Sequence, residues 1–155
     1  MIAVKLNGVD ALNAKLRGLS YDIQKKGGRS ALRAAAKIVA DAAKVNAQQL
    51  DDKATGRSIA MNIGMRWASK LNKQTGDLGF RIGVQGGAKS PPGSNPDAGA
   101  NGPTPHWRFL EFGTERQKAT PFMRPALEQN LQRVADTFIV KFGQSIDRAI
   151  KKGAT

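Results

Sequence analysis

The stretch from Ser20 to Leu50 constrains the fold most, because it is Ala-rich and keeps a helical period over its length. On a wheel of roughly 100° per residue, Ala31, Leu32, Ala35, Ile38, Val39, Ala42 and Val45 fall within about 140° of one another. Lys25, Lys26, Arg29, Arg33, Lys37 and Lys44 fall within about 120° on the opposite side. A helix of this kind must bury its apolar face against other elements and leaves a nearly pure basic face outside. That face suits a polyanion or an acidic partner, or plain solvent. Gly27 and Gly28 interrupt the pattern, each costing about 1 kcal/mol relative to Ala in a helix, and predict a break or kink there.

The segments around it are shorter. Ile2 to Leu6 alternates loosely enough for a strand, with Asn7-Gly8 as a turn, and Asp10 to Leu16 reads as a short helix. Ser58 to Ala68 and Asp77 to Val84 read as two strands of an antiparallel hairpin, joined by a polar turn around Asn72 to Gly76. Gln85 to Pro105 holds five of the seven prolines and five of the 17 glycines, which excludes it from the core and predicts a mobile loop that orders on a partner. Leu127, Leu131, Val134, Phe138, Phe142, Ile146 and Ala149 recur at spacings of three and four, predicting one helix from Pro125 to Lys151 with Gly143 loosening its end. The sum is an α+β fold: a small, mostly antiparallel sheet, one long amphipathic N-terminal helix, a C-terminal helix and a long Pro/Gly insertion. At 155 residues the chain is expected to be a single domain with a core of its own.

Charge and cysteine usage narrow the function classes. With 25 Lys+Arg against 12 Asp+Glu the formal net charge is +13, an invitation to anionic partners. The excess is spread along the chain, so it is not a basic tail. There is no cysteine, which excludes disulfides, thiolate zinc sites and a cysteine nucleophile. No apolar run approaches the ~18 residues of a membrane span, and the opening Met1 to Leu6 is too short and too soon charged for a signal peptide. Synthesis in the cytoplasm and no membrane partner are the expectation.

Catalytic constellations fail one by one. His106 is the lone histidine, beside Trp107, with Asp97 and Glu111 as its nearest acidic neighbours in sequence. Gly83 to Ser90 imitates a phosphate loop, but Ala88 replaces the glycine before the lysine and Pro91-Pro92 blocks the helix that must follow. Ser58 has Gly56 before it but Ala60 where a nucleophile elbow has its second glycine. No cofactor, metal or catalytic residue is expected. Zinc-finger spacing, an aromatic-interleaved strand and a compact helix-turn-helix are likewise missing, so nucleic acid would be held only through phosphates.

The most specific phrase lies at 106–127. His106-Trp107-Arg108-Phe109-Leu110-Glu111-Phe112-Gly113-Thr114 reads as a short helix or turn closed by a glycine suited to a left-handed cap, and Pro121-Phe122-Met123-Arg124-Pro125-Ala126 follows closely. Trp107, Phe109, Phe112 and Phe122 read as core or interface anchors. This pair of blocks resembles the tail-component family of long-tailed bacteriophages, in which a phrase like F-V-E-F-G-T precedes P-F-L-R-P-A. Phe109, Glu111, Phe112, Gly113 and Thr114, then Pro121, Phe122, Arg124 and Pro125, carry the match. Thr55-Gly56-Arg57-Ser58-Ile59 is similar to a trimmed T-G-x-L-R-x-S-I phrase of the same family.

The resemblance implies a non-enzymatic virion protein of the neck or tail, assembled in the host cytoplasm, which completes the tail and joins it to the head. It implies a ring of this chain, sixfold to match phage tails, with double-stranded DNA passing through the lumen. Head-completion or adaptor proteins and the tail tube or tail terminator would be its neighbours. The basic face of Lys25, Lys26, Arg29, Arg33, Lys37 and Lys44, or the Lys and Arg of the hairpin, would line the lumen or meet an acidic ring. Glu111 and Arg124 are expected to pair in a partly buried salt bridge whose single loss costs about 3–5 kcal/mol, the double change being milder. The alternative is a free-standing, nonspecific DNA-binding basic protein.

Overall fold

The computed structural model describes residues 6–17, 19–50, 58–85 and 104–153. The expected strand at Ile2 to Leu6 and the bulk of the 85–105 loop lie outside them. Among the described residues there are seven helices and one two-stranded antiparallel sheet: α1 Val9–Leu16, α2 Tyr21–Gln48, α3 Ile59–Asn62, β1 Ile63–Trp67, α4 Ser69–Thr75, β2 Phe80–Val84, α5 Trp107–Phe112, α6 Met123–Glu128 and α7 Leu131–Lys151. The fold is α+β, with the long N-terminal and C-terminal helices expected. No described helix is long and apolar enough to cross a membrane.

The residues group into two compact units. The first draws on Met1–Ile38, Arg66–Arg81 and Asn130–Thr155, and the second on Val39–Met65 and Ile82–Gln129. In the first, α1 packs on α7. Leu12, Ala31, Phe142 and Ile146 form its buried centre, with Leu16, Leu19 and Phe138 against them. The apolar stripe of α7 is therefore the one its spacing predicts. Gln24 fixes the α1–α2 corner, its Nε2 donating to the carbonyls of Leu16 (3.2 Å) and Leu19 (2.9 Å).

Helix α2 runs unbroken through Gly27 and Gly28, against the kink the sequence predicts. The reason is a close approach. A Cβ on Gly27 would sit 3.0 Å from Ser145 Oγ and 3.2 Å from Phe142 Cε2, and one on Gly28 2.8 Å from Leu78 Cδ1. Glycine is present here to let neighbours in, and packing outweighs its poor helix propensity. The buried side of α2 also differs from the predicted stripe. It follows Ala31, Ala35, Val39, Ala43 and Ala47, while Val45 is 57% exposed. These positions step by four residues and so drift about 40° per step around a 3.6-residue helix, out of the single arc in which the apolar residues cluster.

Three other expectations shift. The predicted strand from Ser58 begins as helix: Ser58 caps α3, its Oγ accepting from Met61 N at 3.3 Å, and only then does β1 start. The polar stretch before β2 is α4, ended by Gly76 at φ +80 with its N–H on Asn72 O. The single helix expected from Pro125 is two, α6 and α7, separated at Gln129-Asn130, and Leu127 is exposed. Gly143 does not end α7, which continues to Lys151.

The hairpin register follows from its flanking bonds. Ala68 N donates to Gly79 O at 2.9 Å and Gln85 N to Asn62 O at 2.6 Å. Ile63 thus faces Val84, Met65 faces Ile82 and Trp67 faces Phe80 on one side, the last pair with ring centroids 5.2 Å apart. Gly64 faces Gly83 and Arg66 faces Arg81 on the other.

Candidate functional site

The phrase at 106–127 folds into a clasp within the second unit. Helix α5 ends at Gly113, whose φ of +75 and ψ of 178 lie outside the ordinary left-handed cap and are open only to glycine. The chain then doubles back so tightly that a Cβ at Gly113 would lie 2.9 Å from Ala119 N and 3.0 Å from Gln117 O. Thr114 closes the reversal: its Oγ1 accepts from Arg116 N and Gln117 N, and its own N–H reaches Gln117 O at 2.8 Å. Thr120 N, bonded to Leu110 O at 2.7 Å, brings the returning chain alongside α5.

Glu111 is the centre of the clasp. It is 2% exposed, and its carboxylate accepts from the backbone N–H groups of Phe122 (2.8 Å), Met123 (2.9 Å) and Arg124 (3.1 Å). A helix start leaves about four N–H groups without intrahelical partners. In α6 three of them fall to Glu111, and the fourth position is Pro125, which has none. The Arg124 side chain completes the arrangement, Nε 3.3 Å from Glu111 Oε1 and Nη2 donating to Glu111 O at 2.6 Å. Burial alone would raise the Glu111 pKa, but the three backbone N–H donors and the Arg124 guanidinium outweigh it and hold the carboxyl below its ordinary value.

The expected Glu111–Arg124 pair is therefore present, but it is lopsided. The Arg124 side chain is 57% exposed against 3% for Glu111. Loss of Arg124 leaves the carboxylate with three donors, whereas loss of the Glu111 carboxylate leaves three amides without an acceptor and leaves the guanidinium only its bond to the residue 111 carbonyl. The geometry therefore predicts unequal costs for the two single changes, where the sequence predicts similar ones.

The aromatics divide. Phe122 is fully buried and its carbonyl accepts from Asn46 Nδ2 of α2 at 3.1 Å. Phe109 and Phe112, by contrast, are 54% and 66% exposed, so they are not core anchors. Phe112 carries the Arg124 guanidinium 5.4 Å from its ring centroid and tilts against Trp107. Pro121 and Thr114 are exposed and Pro125 is half-buried. Sequence reasoning missed Thr104, which is fully buried, accepts from Asn62 Nδ2 at 3.0 Å and gives its carbonyl to Trp107 N. A threonine next to proline in a Pro/Gly run carries no signal of burial.

The six basic residues predicted on one face of α2 all lie on this one helix. Lys25, Lys26, Arg29, Arg33 and Lys37 belong to the first unit and Lys44 to the second. Lys25 Nζ lies 4.3 Å over the Tyr21 ring and Arg29 Cζ 4.4 Å over Trp67; Lys26, Arg29, Arg33 and Lys37 are exposed along the helix, and Lys25 and Lys44 are half-buried. His106 begins α5 without a side-chain cap, and Ser58 serves α3. Among the described residues no three His, Cys, Asp or Glu side chains cluster as metal ligands.

The sequence profile of the family described as "Bacteriophage HK97-gp10, putative tail-component" matches residues 10–113. That span runs from α1 to the glycine closing α5, takes in Glu111, and stops short of the Pro121 to Ala126 half of the clasp. No curated protein and no solved structure matches the chain. The match covers well over half of the sequence and contains the residue on which the clasp turns, and the chain belongs to this family of structural phage tail components, which places it in the virion.

Proposed function

We propose that the chain is a single-domain subunit of a ring in the neck of a tailed phage, completing the tail and joining it to the head. The ring has six copies, to suit the symmetry of a tail, and is assembled in the host cytoplasm. Double-stranded DNA passes through its lumen, and its neighbours are a head-completion or adaptor protein on one side and the tail tube or terminator on the other. The basic face of α2, Lys25, Lys26, Arg29, Arg33, Lys37 and Lys44, meets either the DNA or an acidic neighbouring ring.

The observation that carries this reading is the contrast inside the clasp. Glu111 is buried and bonded to fix α6 against α5, yet Phe109 and Phe112 on the same short helix stay exposed. Two large aromatics on a rigid support, one turn apart, are suited to packing against another subunit. The mass of the purified chain tests this. Wild type is expected to form a closed oligomer, and Phe109→Ser/Phe112→Ser to remain folded but dissociate at least tenfold more readily. A wild-type chain that is monomeric at every concentration, or a double variant that assembles as well as wild type, contradicts the proposal.

A further inference from the structure

We infer that the outer face of α7, through Lys141, Arg148 and Lys151, holds the phosphate backbone of double-stranded DNA, an assignment that rests on the proposed passage of the genome through a ring of this chain. On a helix of roughly 100° per residue, Arg133, Thr137, Lys141, Gln144, Arg148 and Lys151 share an arc of about 80°. The arc contains no apolar side chain and no carboxylate. It is turned away from the buried Phe142 and Ile146, by which α7 packs into the first unit, and all of it but the half-buried Thr137 is exposed. The exposed Val140 lies outside it, on the side of α7 that meets α1. From Arg133 to Lys151 the row is about 27 Å long at 1.5 Å of rise per residue.

The two carboxylates of α7 are engaged off this face. Asp136 accepts from Gln132 Nε2 at 2.9 Å, and Asp147 accepts from Lys15 Nζ of α1 at 2.7 Å. Among the described residues no ion pair joins Arg133, Lys141, Arg148 or Lys151 to a carboxylate. Arg148 Nε donates to Gln144 O at 3.2 Å, which fixes the arginine within the row. Lys141, Gln144, Arg148 and Lys151, with Asp147, line an open hollow of about 500 Å³. A partner for this face must be anionic along a line. Another copy of the chain, at +13, is not. Protein interfaces are anchored by buried aromatic or aliphatic side chains, which the arc does not offer. Duplex DNA needs no such anchor, because it presents phosphates at regular intervals and Lys and Arg bind them without reading sequence.

The test measures binding of a duplex of about 30 base pairs across salt by full chains: wild type, Lys141→Gln/Arg148→Gln/Lys151→Gln, Gln144→Lys, and the control Arg17→Gln/Arg116→Gln/Lys118→Gln, which loses the same charge from exposed positions elsewhere. Gln is a good helix former, so the α7 triple variant should keep its helix, which circular dichroism checks. Each lost phosphate contact lowers the salt slope by about 0.9, so between 50 and 200 mM salt the wild type should lose about 40-fold more affinity than the α7 triple variant. Gln144→Lys adds a cation within the row and should steepen the slope by about 0.9. The control should keep the wild-type slope. An α7 triple variant with the wild-type slope overturns the inference, as does a control that loses as much slope. So does a wild type that ignores the duplex but binds poly-glutamate, which would point to an acidic protein. The oligomer mass measured on the same samples separates the two claims. A monomer whose slope depends on Lys141, Arg148 and Lys151 refutes the ring and keeps the DNA contact, whereas a ring whose slope ignores them keeps the ring and refutes the contact.

Discussion

At Glu111 a single side chain decides whether α6 has a beginning. Its removal leaves amides of Phe122, Met123 and Arg124 without an acceptor, so Glu111→Ala should cost about 3–5 kcal/mol. Arg124→Ala removes a mostly exposed partner and should cost about 1 kcal/mol or less. Denaturant unfolding of the two variants measures the difference, and equal losses would show the pair to be symmetrical after all. The pH dependence follows from the lowered carboxyl pKa. A carboxyl depressed in the folded state stabilises fully above its unfolded value, about 4.3, and that contribution is lost as pH falls through the lower folded value. The stability gap between wild type and Glu111→Gln should therefore be constant near neutrality and close in acid below pH 4. The Glu111–Arg124 pairing was legible from the two phrases alone. That the carboxylate serves backbone amides before it serves arginine was not, because nothing in residue spacing shows how the chain reverses at Gly113.

At the scale of elements, the periodic segments were the legible ones. The stripe of α7 and the existence of α1 and α2 follow from apolar spacing, which local sequence carries in full. The misses share one cause, which is that tertiary contacts decide where an element bends or ends. Gly27 and Gly28 read as a break because propensity is local, and the neighbours that need their bare backbone, Phe142, Ser145 and Leu78, are far along the chain. Gly143 is the control for this argument, since a Cβ there meets nothing within 4 Å. Gly143→Ala should stabilise α7 by about 0.5–1 kcal/mol, and Gly27→Ala should gain less or lose, despite the same change in helix propensity. Thermal unfolding of both variants checks it; equal stabilisation would mean that α2 and α7 are not in close contact at Gly27. Phe109 and Phe112 show the opposite limit. Hydrophobicity alone left core and interface open for these rings, and a six-residue helix that buries Glu111 leaves both of them exposed.

For the whole molecule, the net charge of +13 and the clasp answer different questions. The charge alone fits any protein that meets a polyanion, including the free-standing DNA binder, and says nothing of fold. The matched span from residue 10 to 113 places the chain among tail components, and a genome in transit is the polyanion that the proposed function sets beside this positive surface. The proposed role in the neck is tested most directly by electron microscopy of phage particles made without this protein. The account predicts filled heads and tails that fail to join, or tails of uncontrolled length, restored by the wild-type chain and not by Glu111→Ala. Intact, joined and infectious particles in its absence would contradict it.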